Sequence, residues 1–575
     1  MKHNTHPLID AREQWTRRNV SVRKGFALWG MEVVATAILF AMAGAWPAPD
    51  TNEAHYLAKA KHLSDPQWGE GDFFLETPDA HRLFFLVMGP VCQSVPLETA
   101  AWIGRVAGWG VLAIAVVHAA RSVGLMSWGV ILAGAMYSLA VRHTTVSGEW
   151  VIGGCEAKVF AWALVLWAVG DVARGQFSRA WLVGGAATAF HVLVGGWGMV
   201  GIIFGWICTR TFRIKESVAI NDGAHHPIEP EQQSIFWEQY LPPVFLFCGA
   251  ALAAVGVLPA LALSAGTEAS ERMAAATIQV VERLPHHLLI STFADGMVAR
   301  HVLAWLLWMG LIWSGQRTAA TCRMSTILFG SMLIAIAGVA VTACEPIFPG
   351  PSHAVLRFYW YRLADGLLPL GLAIGVASTF WQSKHNTVFF STLGFRGMIT
   401  ALLVIDMILQ VPHWPIPGRS AVACRADRHV SADAWVDVCR WVALNTPENA
   451  CFLTPRGAAT FLFRTSRKEV VSWKNMPQDP KSILQWKRRL LDCFAESHGN
   501  SIRSLESSTL SFGIDRVTSV AARYGADHLI APVATFDALA KESRSSLSLL
   551  YSNSVYGVYH IGFDQSAGDQ EIRTP

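Results

Sequence analysis

Apolar residues along this chain gather in runs too long for the core of a small water-soluble domain. The first, about 26–46, has the roughly 20 residues that a helix needs to cross a bilayer. Further runs lie near 98–120, 125–141, 157–171, 180–193, 196–209, 240–264, 299–314, 324–343, 363–381 and 388–411. The segment 83–95, "LFFLVMGPVCQSV", is too short to span and is stopped by Pro96, so it reads as a helix on the membrane surface or dipping halfway in. Basic residues favour cytoplasmic loops. With 180–209 read as two helices broken at Gly195–Gly196, the loops with Arg121, Arg174 and Arg179, Arg210/Arg213/Lys215, Arg317/Arg323 and Lys384 all fall inside with the basic N-terminus. The expected fold class is therefore an α-helical polytopic membrane protein of about eleven transmembrane helices. A cytoplasmic tail covers 1–25 and a transmembrane domain 26–411, with an outer loop at 47–97.

After residue 411 the pattern changes. "SADAWVDVCRWVALNTPENACFLTP" predicts a helix capped from Ser431, a turn at Thr446–Pro447 and a buried strand at Cys451–Leu453. "KEVVSW" predicts another strand, "DPKSILQWKRRLLDCF" an amphipathic helix, and "DRVTSVAARYGADHLIAP" a helix–Gly–strand unit. The alternation makes 412–575 an extracytoplasmic α/β domain. Its cysteines 424, 439, 451 and 493 either form one or two disulfides or stay as buried thiols. No glycine-rich phosphate fingerprint occurs here.

Composition agrees with lipid as the surroundings: 52% of residues are hydrophobic, 15% charged, and 24 are tryptophan. A formal net charge of +4 gives no reason for a nucleic-acid partner. The ten cysteines include no CxxC and no Cys/His ligand spacing, which disfavours a structural zinc. The first apolar run exceeds a signal-peptide core and is expected to be retained.

Chemistry-bearing residues concentrate in the outer loops. "WPAPDTNEAHYL" puts Asp50 and Glu53 at the outer end of the first helix; a carboxylate there can cap a helix, act as a general base or hold a divalent cation. In "SGEWVIGGCEAKVFAW", Glu149 and Glu156 flank a Gly-Gly turn and Lys158 follows; Glu156 and Lys158 are two apart, so one of them is expected to point into a polar cavity. "VERLPHHLLISTF" offers Arg283, His286 and His287 as phosphate or sugar ligands, with the adjacent histidines pointing to opposite sides if the segment is extended. "CEPIFPGPSHAVLRFYWYRLADGLLPL" holds His353, Arg357 and Arg362 among aromatics, suited to a lipid-phosphate headgroup or to a membrane-anchoring belt, and pairs Arg362 with Asp365. His191 lies within a helix and is read as structural; Arg456, Arg464, Arg467 and Lys474 either cap a cavity or bind an acceptor, or form a solvated basic face, the safer reading.

The acidic corner after the first helix, the loop that follows and the "HRLFFLVMGP" segment together resemble the GT-C superfamily. Its members are polytopic glycosyltransferases that use polyprenyl-phosphate-linked sugars on the outer face. The closest resemblance is to an uncharacterised bacterial branch that shares the blocks Glu149 to Trp162, Arg283 to Leu288 ("RLPHHL") and Phe358 to Asp365 ("FYWYRLAD"). The resemblance implies Asp50 as base or metal carboxylate, with Glu53 or Glu156 as a second carboxylate. It implies Lys158, Arg283, His286, His287, His353, Arg357 and Arg362 as substrate-binding residues. The implied partners are the bilayer and a polyprenyl-phosphate-linked sugar donor; the acceptor stays open, and a divalent cation is the one cofactor suggested. The location implied is a bacterial inner membrane. Two other readings stand beside the enzyme: a transporter, against which the lack of an ionisable track to the inner face and of an inverted repeat argues, and an inert scaffold of the same fold.

Overall fold

The structure is a computed structural model that describes residues 7–212, 242–315, 317–381, 393–416, 422–496, 502, 504–539 and 546–562. The expected inner loop beyond Phe212, with Arg213 and Lys215, and the loop bearing Lys384 lie outside the described residues.

Helices dominate the first two-thirds. In chain order they are α1 (Pro7–Gly44), α2 (Glu53–Ser64), α3 (Arg82–Ser94), α4 (Leu97–Ser122), α5 (Trp128–His143), α6 (Ala157–Ala173), α7 (Phe177–Phe190) and α8 (Val192–Thr211). There follow α9 (Pro243–Ala262), α10 (Ala269–Thr277), α11 (Pro285–Leu288), α12 (Asp295–Ser314), α13 (Ala319–Cys344), α14 (Pro349–Leu356), α15 (Arg362–Trp381) and α16 (Leu393–Gln410). Among the described residues, six helices are long and apolar enough to cross a membrane: Gly25–Gly44 of α1, and α4, α8, α9, α12 and α13. The shorter α5, α6 and α7 pack between them with α15, around a core that includes Trp162, Trp308 and Leu367. The chain is thus a mostly helical polytopic membrane protein. The helix α1 starts at Pro7, ahead of its apolar span Gly25–Gly44.

Two expectations for the bundle change. The break between α7 and α8 falls at His191, whose backbone is extended (φ −149°, ψ 106°) and whose Nδ1 accepts from the Val194 amide at 3.3 Å, rather than at Gly195–Gly196. His191 is therefore a helix cap and not a mid-helix residue. Gly195 serves close approach: a Cβ there would meet the Thr188 backbone nitrogen at 2.1 Å. The segment 83–95 is helical, as α3, and buries Phe84, Phe85 and Met88 against α2 while Leu86 and Val87 face outward.

The C-terminal part begins with α17 (Ala432–Asn445), behind Ser431, and continues through β1 (Cys451–Leu453), α18 (Phe461–Thr465), β2 (Lys468–Glu469), α19 (Pro480–Phe494), α20 (Ile514–Tyr524), β3 (His528–Pro532), α21 (Val533–Asp537), β4 (Leu547–Ser552) and β5 (Tyr556–Ile561). The sheet order is β2-β1-β3-β5-β4, parallel across the first three strands and antiparallel across the last three. Local chemistry explains the boundaries. Asp479 caps α19 by accepting from the Ser482 amide at 2.9 Å with Pro480 at the first turn, and Gly525 (φ +69°) ends α20 in the left-handed conformation. One face of the sheet buries Trp486, Leu490 and Val517, the other Trp435, Phe452 and Phe461. All ten cysteines are free thiols, so 424, 439, 451 and 493 follow the thiol reading.

The α/β domain sits on one end of the bundle. Asp72, in the loop after α2, accepts from the Glu469 amide of edge strand β2 at 3.0 Å, and Lys487 pairs with Glu282 at 2.7 Å. Trp414 donates to the Met42 carbonyl at 2.8 Å, and His413 stacks on Trp46 with ring centroids 3.8 Å apart.

Candidate functional site

The acidic corner is built from four chain segments. Glu53, fully buried, accepts from Arg105 Nε at 2.7 Å, from the Asp50 amide at 2.7 Å and from the Cys155 amide at 2.5 Å. Arg105 also donates to the Trp46 carbonyl. Both oxygens of Glu53 are thereby engaged in holding the corner together. Asp50, 1% exposed, is placed otherwise. Its Oδ1 accepts from the Thr51 amide at 2.7 Å, while its Oδ2 has no hydrogen-bond partner among the described residues. The nearest charge to Oδ2 is Arg425 Nη1 at 3.6 Å, whose guanidinium lies over the Trp46 ring, 4.2 Å from its centroid. Asp50 is not a helix cap: Asn52 holds that position ahead of α2.

The second cluster gathers at the mouth of α6. Glu156 is the residue before the helix and its backbone is extended (φ −135°, ψ 149°), which frees it from helical geometry. Glu156 and Lys158 therefore converge, with Lys158 Nζ 3.5 Å from both Glu156 and Glu149, instead of pointing apart. Asn52 and the Trp150 indole also donate to Glu156, at 3.0 and 3.2 Å. Arg362 pairs with Glu149 at 2.9 Å and not with Asp365. Asp365 instead accepts from the Val146 and Ser147 amides at 2.6 and 2.9 Å and from the Ser147 hydroxyl at 2.7 Å, fixing the loop that carries Glu149. Burial would raise Glu149, but Arg362 and Lys158 outweigh it and hold the carboxyl below its ordinary value. For Glu156 burial wins, and its carboxyl is raised.

The third cluster is the turn before α12. His286 and His287 share the single turn α11, so their rings lie side by side, centroids 4.2 Å apart, rather than on opposite faces. His287 bonds to the Ser147 carbonyl; burial and the neighbouring His286 push it down to about 3, so it is neutral. Arg283 donates to the Trp473 carbonyl at 3.2 Å and is lowered to about 10 by burial.

These clusters close around one cavity of about 500 Å³. The bundle contributes Asn52, Glu149, Lys158, Arg283, His286 and Arg362. The α/β domain contributes Arg425, Arg428, His429, Trp473 and Lys474. Asp50 and Glu53 do not line it; Thr51, Asn52 and Arg425, the residues next to Asp50, do. Cations far outweigh the carboxylate of Glu149 in the lining, and Lys474 is pushed down to about 7 by burial and then by Arg283. Two residues singled out in the sequence lie elsewhere. His353 is buried between Thr277 and Glu345, at 3.0 and 2.9 Å, and Arg357 packs on Phe358 outside the cavity. Arg425, Arg428 and Lys474 carry no local motif; only the docking of the domain brings them to the site. Among the described residues no group of three or more His, Cys, Asp and Glu side chains is set to hold a metal ion, and Asp50 with Glu156 leaves a divalent cation short of protein ligands.

A family model described as a domain of unknown function (DUF6798) matches residues 433–493, which run from α17 into α19. No curated protein matches the chain. Among solved structures, the Archaeoglobus fulgidus oligosaccharyltransferase in complex with Zn and sulfate is similar at 11% identity and a TM-score of 0.39, over 92% of this chain and 73% of that one. The oligosaccharyltransferase AglB from the same archaeon, with an inhibitory peptide and a dolichol-phosphate, gives 9% and 0.41, over 88% and 70%. ArnT from Cupriavidus metallidurans in the apo state gives 11% and 0.30, over 96% and 98%. Likenesses with TM-scores this low carry no weight in assigning a site or an activity.

Proposed function

We propose that the protein is a GT-C-like membrane glycosyltransferase that moves a sugar from a polyprenyl-phosphate-linked donor to an acceptor on the outer face of a bacterial inner membrane. The observation that carries this reading is Asp50: a buried carboxylate whose Oδ2 accepts no hydrogen bond among the described residues, next to Thr51, Asn52 and Arg425, which line a cation-rich cavity. A buried acceptor without a donor is costly, and it is satisfied by an incoming O–H or N–H. In the proposed reaction Asp50 Oδ2 takes the proton of the acceptor hydroxyl or amine. The bond from the anomeric carbon to the donor phosphate oxygen breaks, and the cations of the cavity stabilise the charge that develops on that phosphate. Glu53 holds Asp50 in place by accepting from its amide.

The test is transfer by the purified protein from a polyprenyl-phosphate sugar, read with Asp50→Asn and Glu345→Gln. Asp50→Asn is expected to lower turnover about 10²–10⁴-fold with the melting temperature unchanged, and Glu345→Gln to leave turnover intact. Undiminished transfer by Asp50→Asn sinks the reading.

A further inference from the structure

The cations of the cavity fall into two kinds. Arg362 and Lys158, on the bundle side, already face Glu149 and Glu156 at 2.9 and 3.5 Å, and Arg425, from the α/β domain, faces Asp50 at 3.6 Å. Arg283, Arg428 and Lys474 have no carboxylate within ion-pair distance among the described residues; Arg428 bonds only sideways, to His429 at 3.0 Å. Three basic side chains without a counter-ion among the described residues thus share one face, with His286 and His429 beside them. They repel one another, and each of Lys474, His286 and His429 is lowered by burial together with these neighbours. A face like this is destabilised until an anion fills it. The face is also split between two parts of the fold: Arg283 comes from the turn before α11, Arg428 and Lys474 from the α/β domain. Trp473 joins them, since its carbonyl accepts from Arg283 and its ring lies 5.0 Å from that guanidinium.

We infer that this face is a two-part clamp for a diphosphate group, with Arg283 supplied by the membrane bundle and Arg428 and Lys474 by the α/β domain. The inference rests on the glycosyl-transfer reading for its biological sense and on charge matching for its chemistry. A phosphodiester carries one negative charge and leaves two of the three cations unmatched; a diphosphate diester carries two and offers more oxygens to guanidinium and ammonium donors. The donor linkage is therefore a diphosphate, and the α/β domain is a working half of the donor site and not a cover over it.

The experiment measures binding to the full-length protein in detergent at pH 7, using a short-chain prenyl diphosphate, the matching prenyl monophosphate and inorganic pyrophosphate. The prenyl diphosphate is expected to bind at least about tenfold more tightly than the monophosphate. Lys474→Met and Arg428→Gln are each expected to weaken the diphosphate about tenfold or more, and Arg440→Gln, an exposed charge on α17, to leave it unchanged. Arg428 is exposed, so its variant keeps the claim testable if Lys474→Met misfolds. Inorganic pyrophosphate bound as tightly as the lipid supports the clamp and marks it as a site for free diphosphates. Equal affinity for mono- and diphosphate, or unaltered binding by both clamp variants, overturns the clamp. If Lys474→Met and Arg428→Gln bind normally while Asp50→Asn has lost transfer, the clamp fails and the transferase reading stands. If Asp50→Asn transfers normally while both clamp variants lose the diphosphate, the reverse holds.

Discussion

The two walls of the cavity carry the same types of side chain and use them differently. On the wall around the mouth of α6, Arg362 and Lys158 each have a carboxylate within 3.5 Å, as has Arg105 in the corner behind it, and the carboxylates are tied in turn to backbone amides or indoles: Arg362–Glu149, Lys158–Glu156, Arg105–Glu53. On the wall completed by the α/β domain, Arg283, Arg428 and Lys474 face open space without a counter-ion among the described residues. Buried ion pairs that are fully hydrogen-bonded fix geometry, and losing one partner strands the other. Unpaired cations at a cavity fix little and bind much. The difference separates scaffold from recognition within a few residues, and charge alone does not reveal it.

Breaking the paired wall is expected to give the largest effects. Glu53→Gln leaves the Arg105 guanidinium buried without its ion pair, and should cost about 3–5 kcal/mol of stability, read as loss of folded protein in detergent melts. Glu149→Gln strands Arg362 and should cost a comparable amount, with an Arg362→Met/Glu149→Gln pair recovering much of it. Either single variant melting like the parent would erase the contrast between the walls. On the unpaired wall, Arg283→Gln should lower stability by less than about 1 kcal/mol, since no partner is stranded there, while weakening anion binding. A pH series sharpens this further. Lys474, faced by Arg283, Arg428, Lys158 and Glu156, sits near 7 in the empty protein, so it is charged below and neutral above that value. Anion affinity should fall as pH rises from 6 to 8, by at most about tenfold per unit, and Lys474→Met should flatten the profile. The smallest effect concerns the seam between the domains. Burial, and then Asp72, raise Glu469 to about 8, above its unfolded value, so its contribution is present in acid and lost as pH rises through 8. Melting temperature should drop by a few degrees between pH 6 and 9 in the parent and not in Glu469→Gln.

Features set by neighbours in the chain were legible in the sequence. Ser431 ahead of a helix, the strand Cys451–Leu453, and the Gly525 stop before β3 rest on local rules and lie where those rules put them. Misreadings arose where backbone geometry departs from the regular element. Glu156 and Lys158 meet because Glu156 is not helical, and His286 and His287 lie together because the segment turns instead of extending. The glycines of Gly195–Gly196 suggested a break, but Gly195 marks a close helix crossing, and the break belongs to the histidine four residues earlier. Arg425 and Arg428 were not legible as site residues, because only tertiary docking distinguishes them from the surface cations around them, whereas Lys474 takes the cavity-facing alternative to a solvated face.

The Arg105–Glu53 knot has a consequence for motion. It ties Trp46, Asp50, α4 and Cys155 into one rigid unit, so the corner carrying Asp50 cannot shift relative to the bundle without breaking a buried ion pair. The α/β domain is held to the other side of the cavity by separate contacts, Lys487 to Glu282 at 2.7 Å, the Glu469 amide to Asp72 at 3.0 Å and Arg283 to the Trp473 carbonyl at 3.2 Å, so the two walls are fixed by independent sets of bonds.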